Sequence, residues 1–206
     1  SLLNMFNSSY KLYGIDPSSE KFKNLYNKNI FRINDFFSKK NIDKFQKRNR
    51  DKKDKFDLIT SFAIFYDIND PNKFCKEIST LLSDTGYWVV EFSYLPLLLK
   101  NLTYDQICHE HVTYYSLSVF NLLMKKNNLK IVDVSLNEIN GGSIEVVCTH
   151  KKNKCKIMNR KINTILKDEK LINDKAYRNF NNRIENIKIK LNNFLSKNKN
   201  KKIIGY

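Results

Sequence analysis

"FDLITSFAIFYDINDPNKFCKEISTLLSDTGYWVVEFSYL", residues 56–95, decides the fold. Its opening, Phe56–Ile68, is a nearly continuous apolar run. That is the pattern of a parallel strand buried on both faces, not of one alternating between core and water. Asp70-Pro71 then opens a helical segment with Phe74, Ile78, Leu81 and Leu82 on one stripe, Pro71 near its start and Gly86 beyond its end. Tyr87–Leu95 is the next strand.

The alternation continues on both sides. "SLLNMF" (1–6) reads as a helix already under way, and "KLYGIDPSS" (11–19) as a short strand closed by the turn-forming pair Asp16-Pro17. "SSEKFKNLYNK" (18–28) has a Ser cap followed by helical spacing, "NIFRINDFF" (29–37) is another short strand, and 38–55 is charged helix or loop. Downstream, "SLSVFNLLMKKNNL" (116–129) is a helix with a Ser cap. "KIVDVSLNEI" (130–139) and "SIEVVCTHK" (143–151) are strands joined through "NGGS" (140–143), whose glycines permit tight turning. Residues 1–150 are therefore expected to form an α/β domain with a mostly parallel sheet and an antiparallel edge hairpin. From about Lys151 the pattern becomes glycine- and proline-free with helical spacing, so 151–200 is expected to hold one or two amphipathic helices. "KKIIGY" (201–206) reads as the opening of a further strand, and both ends of the chain read as cut.

Composition narrows the function classes. The formal charge of +16 invites a nucleic-acid reading, but the lysines are strewn along the whole chain instead of gathering on one element. A solvated lysine surface is expected, with no specific nucleic-acid partner. There is no apolar run of eighteen residues, so no membrane span is expected. Four cysteines show no paired spacing, which fits reduced thiols in the cytoplasm.

In open α/β sheets ligands bind beyond the carboxyl ends of the strands. Asp16 stands at one such end, where a carboxylate can accept both hydrogen bonds of a ribose diol; the alternative is an ordinary Asp-Pro turn. Asp35 could contact an adenine amino group, with Phe36 packing on the ring. "YDQICHEHVTYYSL" (104–117) holds two of the three histidines in the chain. Three readings compete for it. Cys108, His109 and His111 could ligate zinc, although no second cluster supplies further ligands. A histidine there could act as general base, with His109 and His111 sharing a face and Glu110 pointing away if the segment is extended. Or the histidines simply pack beneath the following helix. "NGGS" is a turn unless its backbone amides approach a ligand.

Taken in order, "GIDPS", "NDFFS", "FDLITSFAIFYDINDPNKF", "LLSDTGYWVVEFSYLPLLL", "YDQICHEHVTYYSL" and "NGGSIEVV" resemble the S-adenosylmethionine-dependent sugar C-methyltransferases. That family methylates a carbon of a nucleotide-linked keto-deoxysugar. The resemblance implies a class I methyltransferase sheet over 1–150 and S-adenosylmethionine as cofactor. It places Asp16 on the ribose, Asp35 and Phe36 on adenine, and Ser61 and Phe62 along the methionine side. It implies His111 as base, with Glu110, His109 and Cys108 beside it; many relatives have tyrosine at the position of Cys108 and a histidine near Tyr66. Glu91, Tyr94, Tyr66, Asn140, Gly141 and Gly142 fall to the sugar substrate. The glycine-rich cofactor loop and a zinc domain of the family are expected upstream of Ser1, with no metal held by these residues. "KKIIGY" corresponds to the start of a second Rossmann-like domain. An RNA methyltransferase and a non-catalytic fragment are the alternatives.

Overall fold

The computed structural model describes residues 2–50 and 55–204. Strands β1 (Leu12–Ile15) and β2 (Ile30–Ile33) pair in parallel as a two-stranded sheet. Helix α1 (Lys39–Arg48) follows, its first turn closed by Ser38, whose side chain accepts the Asn41 N–H at 3.1 Å. The segment at 56–95 then folds as strand β3 (Phe56–Phe62), helix α2 (Pro71–Leu81) and strand β4 (Leu82–Ser93), with β3 and β4 parallel. Asp70 caps α2 by accepting the Lys73 N–H at 2.9 Å, and Pro71 occupies the first turn, where its missing N–H costs nothing.

After a short helix α3 (Leu95–Asn101), the helix α4 (Leu117–Lys126) begins at its Ser116 cap as expected. Strands β5 (Leu129–Asn137) and β6 (Ser143–His150) form the antiparallel hairpin. Its inner strand is β6, which pairs antiparallel with β4 as well, so the second sheet has the order β3-β4-β6-β5. Trp88, Val90 and Phe92 of β4 pair with Cys148, Val146 and Ile144 of β6, and the period of two puts all six on one face. That face is covered by Phe74, Cys75 and Ile78 of α2 and by Phe120 and Met124 of α4, all buried.

Two amphipathic helices, α5 (Asn159–Glu169) and α6 (Asp174–Lys197), complete the described chain. Phe180 of α6 packs on Leu98 and Leu99 of α3, and the Arg183 guanidinium donates to the carbonyls of Leu99 (3.2 Å) and Lys100 (3.0 Å), capping α3. Among the described residues no helix is long and apolar enough to cross a membrane. Residues 51–54 of the charged segment, Ser1 and the final Gly205-Tyr206 lie outside the described residues; Lys201–Ile204 form no strand.

Several expectations change. Leu2–Met5 form a single 3-10 turn in place of the helix read at 1–6. Residues 18–28 do not form an α-helix. The Asp16 carboxylate accepts the Ser18 N–H at 2.6 Å, and Asn34 Oδ1 accepts the Glu20 N–H at 3.4 Å. These side chains compete with a helix start, and only a 3-10 turn at Lys23–Leu25 survives. The apolar run at 56–68 also ends earlier as a strand: Ala63 takes a left-handed φ of 54°, and Phe65–Asp67 is a 3-10 turn. β3 lies at the edge of its sheet with Leu58 44% and Phe62 38% exposed, not enclosed on both sides. Finally, α2 passes directly into β4, so Gly86 sits inside the strand. A Cβ there would lie 2.8 Å from the Phe56 carbonyl oxygen, which explains the glycine where the β3–β4 register shifts.

Candidate functional site

Two groups of predicted residues gather at the carboxyl ends of the strands. The first borders a cavity of about 930 Å³ between β1 and β3, lined by Gly14, Asp16, Phe37, Ser61, Phe62 and Ile64 among others. Asp16 is exposed there. One of its oxygens holds Ser18, and no described residue occupies the other. Asp35 and Phe36 follow β2 directly; the Asp35 carboxylate accepts the Phe36 N–H at 2.8 Å, and the Phe36 ring is 73% exposed. Ser61 is buried, and its hydroxyl accepts the Trp88 indole N–H at 3.1 Å, which pins the end of β3 to β4. Asp16 and the half-exposed Phe62 thus border one cavity, whereas Asp35 and the bare Phe36 ring stand outside its lining.

The second group surrounds the HEH segment. It is a turn, not an extended run: the His111 N–H reaches the Cys108 carbonyl at 3.3 Å. The turn changes which side chains share a face. His109 and Glu110 stand out in water, 90% and 73% exposed, with His109 Nε2 3.9 Å from Glu110 Oε1. His111 folds back instead, partly buried, with Nδ1 2.7 Å from the Gln106 carbonyl oxygen. A carbonyl only accepts, so Nδ1 carries the proton, and in the neutral ring Nε2 keeps its lone pair. The Tyr114 hydroxyl donates to the same carbonyl at 3.3 Å. The Tyr66 ring lies 4.3 Å from the His111 ring, and the Tyr66 carbonyl accepts the Thr113 N–H at 3.2 Å. The segment is thereby tied to the end of β3.

Acids line the same place. Glu91 of β4 is 6% exposed, and burial raises its carboxyl above the usual range against a hydrogen bond from Asn137 at 3.3 Å; the cross-strand Glu145 raises it further. Asp67 is raised by burial too, with His111 pulling it back down and Glu110 pushing it up. Burial at Glu91 has a testable consequence. A carboxyl whose folded-state value is raised binds more protons in the folded chain, so stability falls as pH rises through that interval. Glu91→Gln should therefore raise the urea midpoint at pH 7, and the gain should vanish below about pH 4, where both forms are neutral. Paired urea titrations at the two pH values check this.

Other predicted residues fall elsewhere. Tyr94 does not reach the lip of a pocket. It is 3% exposed, and its hydroxyl donates to Glu169 at 2.6 Å. Asn140 and Gly141 are exposed on the hairpin turn, and both glycine amides are spent internally, Gly141 on the Glu138 carbonyl (3.2 Å) and Gly142 on Ile139 (2.9 Å). The two glycines serve packing: Gly142 has a φ of 137°, and a Cβ on it would lie 2.6 Å from Leu97. Among the described residues no cluster of three His, Cys, Asp or Glu side chains could hold a metal. All four cysteines are free, and burial pushes Cys75 up to about 12.

Reasoning from the sequence alone missed Gln106, Asn137 and Glu169. Glu169, 8% exposed, accepts the Tyr94 hydroxyl and the N–H groups of Leu117 and Ser118 (2.9 Å for Ser118), seating a carboxylate on the N-terminus of α4. It lies in a lysine-rich helix and carries no local signal. Gln106 works through its backbone carbonyl, which no residue type announces.

Known proteins are similar to this chain in sequence and in fold. The profile described as "Methyltransferase domain" covers residues 2–134, and that described as "C-methyltransferase C-terminal domain" covers 138–206. C-methyltransferase NovU of Streptomyces niveus is 38% identical over 89 residues, 43% of this chain and 21% of that protein; the chain thus spans about a fifth of the relative's length. In the fold, a single-site variant of LepI, solved with SAH and a substrate analogue, matches with a TM-score of 0.50 at 9% identity, covering 68% of this chain and 36% of that one. A Haloferax volcanii protein described as a putative methyltransferase, solved in complex with the Trm112 methyltransferase activator, covers 67% of this chain and 71% of its own at 14% identity, with a TM-score of 0.49. A family profile spans more than half its length, while β6 and the two final helices fall under the second, so the chain belongs to the methyltransferase-domain family.

Proposed function

We propose that these residues form part of a C-methyltransferase that acts on a nucleotide-linked keto-deoxysugar. The observation that carries this reading is His111, whose Nδ1 is committed to the Gln106 carbonyl and whose Nε2 is left as a base. A carbon beside a ketone is acidic enough for a neutral imidazole to deprotonate when the developing enolate is stabilised. When bound, S-adenosylmethionine supplies a methyl group on a positively charged sulfur. The chain's own part is to hold that cofactor along Asp16, Phe36, Ser61 and Phe62, and to remove the proton at His111. In this reading buried Glu91 and the exposed Asp67 bind sugar hydroxyls, in the protonated form as donors or in the ionised form as acceptors.

Carbon methylation is what separates this reading from other acceptors. Incubation of the protein with carbon-13 methyl-labelled cofactor and a nucleotide-linked keto-deoxysugar should give a product whose methyl carbon couples to a ring carbon in the NMR spectrum. A methyl group found only on oxygen, or no transfer to any keto-sugar, sinks the proposal.

A further inference from the structure

Deprotonation leaves negative charge on the former carbonyl oxygen, and some group must donate a hydrogen bond to it. Cys108, next to the base, offers only a weakly donating thiol. The Tyr94 hydroxyl is spent on Glu169 and that of Tyr114 on the Gln106 carbonyl. Tyr66 differs from both. Its hydroxyl has no hydrogen-bond partner among the described residues, yet the residue is 6% exposed and its ring lies against His111. It sits on the 3-10 turn just past the end of β3, and its backbone is tied to Thr113.

We propose that the Tyr66 hydroxyl is the donor that holds the acceptor's carbonyl oxygen and stabilises the enolate, an inference that rests on the reaction proposed above. In that step His111 Nε2 takes the proton from carbon. The C–H electron pair becomes the carbon–carbon double bond, and the carbonyl π pair moves onto the oxygen facing Tyr66. As the enolate carbon takes the methyl group, the carbonyl re-forms, and the carbon–sulfur bonding pair leaves with sulfur. Burial, with Asp67, Glu91 and Cys108 nearby, holds the phenol above its ordinary range, so it is protonated at neutral pH and able to donate.

The test is Tyr66→Phe, which keeps the ring against His111 and removes only the hydroxyl. Both kcat for methyl transfer and the rate of deuterium wash-in at the carbon beside the ketone should fall about 10²-fold or more. Cofactor affinity and melting temperature should stay close to wild type. Tyr66→His, which returns a ring N–H, should recover at least about tenfold of the loss, as a donor role requires. Transfer and exchange within about threefold of wild type in Tyr66→Phe overturn the inference and leave the proposed reaction standing. Losses that track a lowered melting temperature, with no recovery in Tyr66→His, make Tyr66 a packing residue and overturn it too. A wild-type protein that catalyses neither exchange nor transfer removes the reaction itself, and the inference with it.

Discussion

His111→Asn is expected to lower methyl transfer about 10³-fold while leaving the dissociation constant for S-adenosylmethionine within about threefold of wild type. The reasoning is geometric. An asparagine amide can still donate to the Gln106 carbonyl, as Nδ1 of His111 does at 2.7 Å, so the turn at 108–111 should survive. What it lacks is the lone pair at Nε2. The residues assigned to the cofactor, Asp16, Ser61 and Phe62, lie around the cavity between β1 and β3, on elements that the substitution does not touch. Kinetics for the first quantity and calorimetry for the second separate two roles: loss of transfer alone marks a base, whereas equal loss of both marks a structural histidine.

Glu169→Ala should cost about 4 kcal/mol of folding stability, near the upper end for a single residue. The side chain accepts from the Tyr94 hydroxyl and from two amides at the start of α4, and burial keeps water from replacing it. Removing it orphans three donors at once, and the helix terminus loses its compensating charge. Burial and the bond to Glu169 also hold the Tyr94 phenol well above its usual range. In a chain of 206 residues the melting temperature should drop by about 10 °C. Tyr94→Phe breaks only one of the three bonds and should cost about 1 kcal/mol. Equal melting temperatures for Glu169→Ala and wild type would show that α5 does not brace the sheet through this carboxylate.

What the sequence made legible follows from how local each signal is. The stripe on α2 and the cap at Ser116 depend on residues within a turn of one another, and both helices formed where their signals lay, whereas the run at 56–68 gave a strand only as far as Phe62. The antiparallel hairpin was readable from its glycine turn, but its threading was not: that β6 pairs with both β4 and β5 is a property of the sheet as a whole. Residues 18–28 misled because helical spacing says nothing about Asp16 and Asn34, which capture Ser18 and Glu20 before a helix can start.

The candidate site divides along the same line. His111 and Tyr66 are identifiable as residue types, and the fold sets their rings 4.3 Å apart. Alternation in an extended strand pairs His109 with His111, whereas the turn sends His109 into water and turns His111 inward. Tyr94 was assigned to the sugar substrate by the family resemblance alone; its partner Glu169 lies 75 positions away, beyond any local rule. Buried polar contacts of that length are decided by packing and leave no pattern along the chain.

Enolate formation at His111 is the central claim, and proton exchange tests it without methyl transfer. The protein is incubated in deuterium oxide with a nucleotide-linked keto-deoxysugar and no methyl donor, and the sugar is followed by NMR. Wash-in of deuterium at the carbon beside the ketone, dependent on the protein and lost in His111→Asn, is the predicted result. Exchange that persists unchanged in His111→Asn, or carbon methylation by a protein that catalyses no exchange under any condition, would contradict the account.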